Sequence, residues 1–331
     1  MKPTRFLAGA SVALSLVAGS AVAQEDWLPD ELAVPMSEIT IGFSSLGAGV
    51  NSYVATYVET FEAYAAELGV NTVTLDAQAD PARQSNQVRD LIARQVDVMV
   101  VWPTNAVAIV PALRAVHGAG IPVVITNSEI DESGDEYFVT FTGPDDVTQA
   151  RTAARLMAEG LGGEGDVVII GGLPGYTVSQ RREQGFREVI DEYPDINILD
   201  VQPGNWSREQ AQSVMEAYIV RFGDQIDGVY SADSDMGVGA LTAVQAARAE
   251  GTLPADHPVI FTDATLFGAA YDAIQAGDYY GSVLQSPMED ARAAVRAAVM
   301  IMQGMPVERI MHFESPAVSA DNIDEIERPI F

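Results

Sequence analysis

From Ile39 to Gln303 the sequence keeps one rhythm, in which short apolar runs alternate with helix-length amphipathic stretches. That alternation is the pattern of parallel strands covered by helices, not of hairpins or of a helical bundle. Strands are expected at 39–43, 70–75, 96–101 and 123–126, with helices at 53–68, 81–94 and 105–117 between them. In the first helix Val54, Val58, Phe61, Ala65 and Leu68 share a face, and Gly69 stops it. After a helix at 147–161 and a glycine-rich turn (Gly162, Gly163, Gly165) the rhythm restarts, with strands at 167–170, 196–201, 228–231, 259–262 and 279–284. Helices at 178–191, 208–222, 236–249, 266–275 and 288–303 intervene. The fold class is therefore α/β, with two doubly wound parallel-sheet lobes. No low-complexity linker separates them, so they are expected to pack directly, and 331 residues suffice for two cores.

What precedes this region reads as an address. Lys2 and Arg5 are followed by an apolar run over 6–18, then by Ala21-Val22-Ala23, the small-x-small pattern of a signal-peptidase site. A cleaved signal peptide is expected over 1–23, with the mature chain starting at Gln24 and an acidic, Pro-containing extension over 24–38. The run is too short to span a bilayer comfortably, and no later segment is long and apolar enough, so the expected product is a soluble periplasmic protein with no direct membrane insertion. Lys plus Arg is 18 against 47 Asp plus Glu, a net charge of -29, and removing Lys2 and Arg5 makes it -31. Such a field repels polyanions and excludes nucleic acid as a partner. With 48% hydrophobic and 20% charged residues the chain is still a folding composition. The absence of Cys removes disulfides, thiolate metal sites and cysteine nucleophiles. His117, His257 and His312 are too scattered for a metal centre, so neither metal nor cofactor is expected.

In open α/β sheets ligands bind beyond the carboxyl ends of the strands. Those positions hold Ser44 with Asn51 and Tyr53, then Trp102, Asn127, Tyr176 with Arg182, Trp206, Asp233 with Asp235, Asp263 and Gln285. Aromatic planes with carboxylates, amides and one guanidinium suit a neutral polyhydroxylated guest, whose hydroxyls pair with the polar groups while its C–H faces lie on the rings. Each residue alone has a plainer reading. Asp235 before Met236 is expected to be a helix cap, Trp102 or Trp206 alone would be core, and Arg182 would belong to a solvated helix face.

Taken in order, the local matches resemble one family. Asn51-Ser52-Tyr53, Leu75-Asp76-Ala77-Gln78 with Asp80-Pro81, Trp102-Pro103-Thr104, Ile121-Pro122-Val123-Val124, Arg182 with Gly185-Phe186, Gln202-Pro203 before Trp206, Asp233-Ser234-Asp235-Met236 with Gly239-Ala240, Asp263 and Gln285 are similar to segments of the periplasmic sugar-binding proteins of ABC transporters. Within that family the chain resembles the ribose-binding-protein-like branch of type I periplasmic binding proteins. The resemblance implies a first lobe of 39–142 plus 286–313 and a second of 143–285 plus 314–331, joined by a three-segment hinge near 141–143, 285 and 312–315. It implies hinge closure on a sugar or polyol, delivery to an ABC transporter permease, a monomer, and no enzyme activity. Carried over residue by residue, it gives Arg182, Asp233, Asp263 and Gln285 polar roles and makes Tyr53 and Trp206 walls. Asn51, Trp102 and Asn127 complete the expected site. Where the family shows Asp-Arg at the fourth strand end this chain has Asn127-Ser128, while Trp102 and Asp233 each replace an amide, so a different set of hydroxyls is expected to be read.

Other readings are weighed beside it. Asp233, Asp235 and Asp263 could flank a glycosidic bond as acid and base. Gly171-Gly172-x-x-Gly175 follows a strand but lacks the spacing of a dinucleotide loop. A transcription regulator of the same two-lobed fold would carry a helix-turn-helix and a basic face, not an export signal. A sensor subunit serving a chemoreceptor or kinase remains compatible with the same closed form.

Overall fold

The computed structural model describes residues 27–331; the leader expected over 1–23 and the cleavage before Gln24 lie outside the described residues. In chain order the elements are β1 (Thr40–Ser45), α1 (Ser52–Glu67), β2 (Asn71–Asp76), α2 (Pro81–Ala93), β3 (Val98–Val101), α3 (Val110–Gly118), β4 (Val123–Thr126) and β5 (Thr140–Gly143). Then follow α4 (Asp146–Leu161), β6 (Glu164–Gly171), α5 (Thr177–Ile190), β7 (Asp195–Pro203), α6 (Arg208–Phe222), β8 (Gly228–Ser231), α7 (Ser234–Glu250), β9 (Ile260–Asp263), α8 (Gly268–Ala276) and β10 (Gly281–Val283). Last come α9 (Pro287–Met302), β11 (Ile310–His312) and β12 (Ala317–Ser319).

The strands form two six-stranded sheets, ordered β11-β5-β4-β3-β1-β2 and β12-β10-β9-β8-β6-β7. The first is parallel throughout. In the second, β12 runs antiparallel to β10, an exception to the all-parallel expectation. The chain passes between the sheets three times, after β5, after β10 and after β11.

Strand alternation distributes the core to both faces of each sheet. In β3, Val98 and Val100 turn toward Tyr57, Phe61, Val295 and Val299, whereas Met99 and Val101 turn toward Leu91 and Leu113. Val168 and Ile170 of β6 pack with Met215 and Val244, and Val167 and Ile169 with Met157 and Phe186. Phe43 and Phe61 stack with ring centroids 4.3 Å apart; burying each such ring stabilises the fold by about 1.5–3 kcal/mol.

Helix starts follow local chemistry. Asn51, Asp80, Asp145, Ser207 and Ser286 each accept a backbone N–H of the first turn, satisfying donors that would otherwise lack partners. Two starts depart from expectation. The third helix begins at Val110 rather than near 105, because Asn105 accepts from Val107 N and Ala108 N in a turn and Pro111 sits at the first helical positions. The cap of α7 is Asp233, which accepts from Met236 N at 2.9 Å; Asp235 instead pairs with Arg208.

Candidate functional site

The carboxyl ends of the two sheets face each other across one narrow cleft, whose free cavity volume is about 50 Å3. Eight of the nine expected site residues line it: Asn51, Tyr53, Trp102 and Asn127 from the first sheet's side, and Arg182, Trp206, Asp233 and Gln285 from the other. Tyr176, Phe267, Thr265, Leu46, Val50, Val54 and Val178 complete the lining. Tyr176 stands among the strand-end residues, yet neither spacing nor chemistry singled it out for a ligand role. The apolar members carry no polar signal at all.

Asp263 does not line the cleft. It closes β9, but its Oδ1 turns sideways to accept from Ser282 Oγ at 2.6 Å and Thr265 N at 2.9 Å, and the residue is wholly buried. Burial raises its carboxyl to about 7.

Arg182 is buried rather than on a solvated face, and the protein itself engages all its donors. Nε donates to Asp146 Oδ1 at 2.8 Å, Nη1 to Ala232 O at 2.6 Å and Thr265 Oγ1 at 2.8 Å, and Nη2 to Gln149 Oε1 at 3.1 Å and Gln285 Oε1 at 2.9 Å. A guanidinium has five N–H groups, so this set is complete. Its carboxylate partner Asp146 is still raised to about 6, because burial outweighs the attraction of Arg182.

Gln285 extends this network across the base of the cleft: its Nε2 donates to the Tyr53 hydroxyl at 2.8 Å, which donates to Asp290 Oδ2 at 3.0 Å. Asp290 also accepts from Asn127 Nδ2 at 2.7 Å. No basic group among the described residues pairs with it, and burial lifts its carboxyl to about 7. Sequence reasoning missed Asp290 because an acid in a helix's first turn looks like a dipole partner.

Three polar groups keep capacity toward the cleft. Asp233 spends Oδ1 on its cap, and its other oxygen accepts from no group among the described residues; burial raises the carboxyl to about 7. Asn51 accepts from Val54 N through Oδ1, leaving its amide N–H groups. Asn127, held at φ 60°, uses its amide nitrogen on Asp290 and turns its carbonyl toward Ser128 Oγ at 3.4 Å.

The walls are aromatic. Trp102 meets Tyr53 edge-on at 6.3 Å and Tyr57 at 4.8 Å; Tyr176 meets Trp206 edge-on at 6.1 Å. Trp206 lies partly buried over Gly172, where an added Cβ would fall 2.2 Å from ring atom Cζ2, so only glycine lets the indole reach this position. Besides the Gln285–Tyr53 bond, polar contacts cross the cleft at three places: Trp102 Nε1 donates to the Tyr176 hydroxyl at 2.9 Å, that hydroxyl is hydrogen-bonded to Ser128 Oγ, and Arg181 pairs with Glu129 at 2.5 Å.

Comparison with known proteins gives concordant matches. The periplasmic binding protein domain matches residues 41–306. A xylitol-binding protein of Mycolicibacterium smegmatis is 31% identical over 278 residues, 83% of this chain and 76% of that protein. The ribose import binding protein RbsB of Bacillus subtilis is 27% identical, over 90% of this chain and 93% of its own. Among solved structures, a Mycobacterium smegmatis protein in complex with β-D-fucofuranose aligns with TM-score 0.79 at 26% identity, over 87% of this chain and 93% of that one. The Caulobacter myo-inositol binding protein shares the fold, with TM-score 0.80 at 24% identity over 89% and 97% of the two chains. A domain match running through both sheets and the cleft between them places the sequence: this chain belongs to the periplasmic binding protein family.

Proposed function

We propose that this protein is a periplasmic solute-binding protein that closes two lobes on a small neutral sugar or sugar alcohol and delivers it unaltered to an ABC importer. The observation that carries the reading is the cleft itself. Rings and hydrogen-bonding groups from both sheets converge on one small space at the strands' carboxyl ends, the position where open α/β sheets bind ligands. The names of the xylitol-binding and ribose import relatives support the substrate class.

In this reading the lobes are 39–142 plus 286–313 and 143–285 plus 314–331, and the three passes between the sheets form the hinge. Tyr53, Trp102 and Trp206 supply faces for C–H groups, while Asn51, Asn127 and Asp233 meet hydroxyls. Arg182 and Gln285 hold the base of the cleft rigid. A ligand touching both lobes shifts the open–closed equilibrium by its differential affinity, and a membrane permease reads the closed form. The leader over 1–23 exports the chain, which acts as a monomer; among the described residues no helix is long and apolar enough to cross a membrane.

Isothermal titration of the purified protein against pentoses, hexoses and sugar alcohols tests this. At least one should bind with a Kd of about 10 μM or tighter, that is about 7 kcal/mol of binding free energy. Trp206→Ala should weaken that ligand by about tenfold or more while leaving the unliganded melting temperature nearly unchanged. Binding of amino acids or peptides with no response to any polyol refutes the substrate class.

A further inference from the structure

The cleft contains a protein group doing what a guest would otherwise do. Tyr176 occupies the N-cap position of α5, but its side chain makes no capping bond. Instead the phenol crosses to the opposite side. Its hydroxyl accepts from Trp102 Nε1 at 2.9 Å and is hydrogen-bonded to Ser128 Oγ, and the same indole N–H lies 3.2 Å from Ser128 Oγ. An indole has a single donor, so Tyr176 and Ser128 saturate the polar groups that the first sheet's side presents there. Tyr176 is buried and stands edge-on to Trp206, so its ring is a fixed part of the wall of a small cavity.

We infer that Tyr176 is a length stop that sets how many carbons the guest can have, a role resting on the proposed reading of this cleft as a sugar or polyol site. A guest that fits without touching the stop leaves the Trp102–Tyr176–Ser128 contacts intact. A longer one must push the phenol aside, which breaks those contacts and leaves the indole N–H and the serine hydroxyl buried unless the guest's own terminal hydroxyl replaces the phenolic one. The Asn127-Ser128 pair contributes: a serine is short enough to let the phenol approach, and it supplies the second partner that fixes the phenol's position. Specificity then comes from a side chain that stays out of contact with the favoured ligand's hydroxyls.

The test uses two linear polyols differing in length, xylitol and sorbitol, titrated into the wild type, Tyr176→Ala and Tyr176→Phe. The wild type should bind the five-carbon compound about tenfold or more tighter than the six-carbon one, the size of effect one carbon commands in a confined pocket. Tyr176→Ala removes the stop and should shrink that ratio by about tenfold. Tyr176→Phe keeps the ring but removes the hydroxyl that the indole N–H and Ser128 engage, and should shrink it by about threefold; as a near-isosteric change it keeps the test decisive even where the alanine variant fails to fold. Equal binding of both polyols by the wild type, or an unchanged ratio in the folded variants, overturns the length-stop role alone. A wild type that binds no sugar or polyol overturns the reading of the cleft and this role with it.

Discussion

Replacing Asp290 by asparagine should remove a defined part of the protein's pH-dependent stability. Asp290 is fully buried, both of its hydrogen-bond donors are neutral, and both reach the same oxygen, Oδ2; Oδ1 has no partner. An amide oxygen in the Oδ2 position keeps both bonds, so the substitution removes the charge with little change of shape. Burial raises the carboxyl from 3.8 to about 7, so between those values the native state holds a proton that the unfolded state has released. Stability from this group is complete at pH below about 4, falls as pH rises through about 7, and is level above that. At 1.36 kcal/mol per pH unit, the wild type should lose about 2.5 kcal/mol from Asp290 between about pH 5 and about pH 7.5. Asp146, Asp233 and Asp263 are raised in the same direction, so the informative quantity is the difference between wild type and variant. Urea unfolding of ligand-free protein at several pH values measures it. The variant should gain on the wild type by about 1–3 kcal/mol from the acid to the alkaline end of that window. A difference independent of pH refutes the argument, because Asp290 would then titrate alike in the folded and unfolded states.

Three further outcomes follow from the geometry. Arg182→Met should destabilise the protein by about 3–5 kcal/mol, since it strands Asp146 in the interior, and adding Asp146→Asn should recover part of the loss in the same unfolding assay; a loss under about 1 kcal/mol contradicts the five-bond network. Gly172→Ala should lower affinity for the cognate polyol by about tenfold or more through displacement of the Trp206 ring, seen by titration and by a shift in tryptophan fluorescence; unchanged affinity contradicts the placement of Trp206 over Gly172. Asp263→Asn retains an acceptor for Ser282 and Thr265 and should keep affinity within about threefold of wild type, whereas a much larger loss at unchanged stability would return Asp263 to the cleft.

The elements that sequence could reveal are those whose apolar period runs long enough to read. The helix at 208–222 and the strands at 123–126 and 228–231 coincide with α6, β4 and β8, because each is bounded by residues that terminate it. Three strands escaped. β11 and β12 are three residues each, at one end of their sheets and with no apolar run to mark them, and the two threonines of the interior strand β5 disguise its full burial. Most of the cleft lining was legible because parallel sheets gather the residues after their strands into one place. Contact direction was not. Asp263 and Asp233 look alike as acids at strand ends, yet one turns toward a neighbouring strand and the other caps a helix facing the cleft. Arg182 could be singled out as cleft-facing, but that its donors are all taken emerges only when Gln149, Ala232 and Thr265 come together from three separate stretches.

The first sheet is finished by parts of the chain that are synthesised almost last. β11 borders β5, and α9 supplies Ala294, Val295, Ala298 and Val299 to the same core as Tyr57 and Phe61. Until the ribosome has released these segments, a large apolar face lacks its cover, so the amino-terminal half cannot settle ahead of the rest as an uninterrupted domain would. Stalled chains ending before Pro287 should accordingly be digested by a protease that spares the released protein, and resistance of such chains would show that the early segments fold without their late partners.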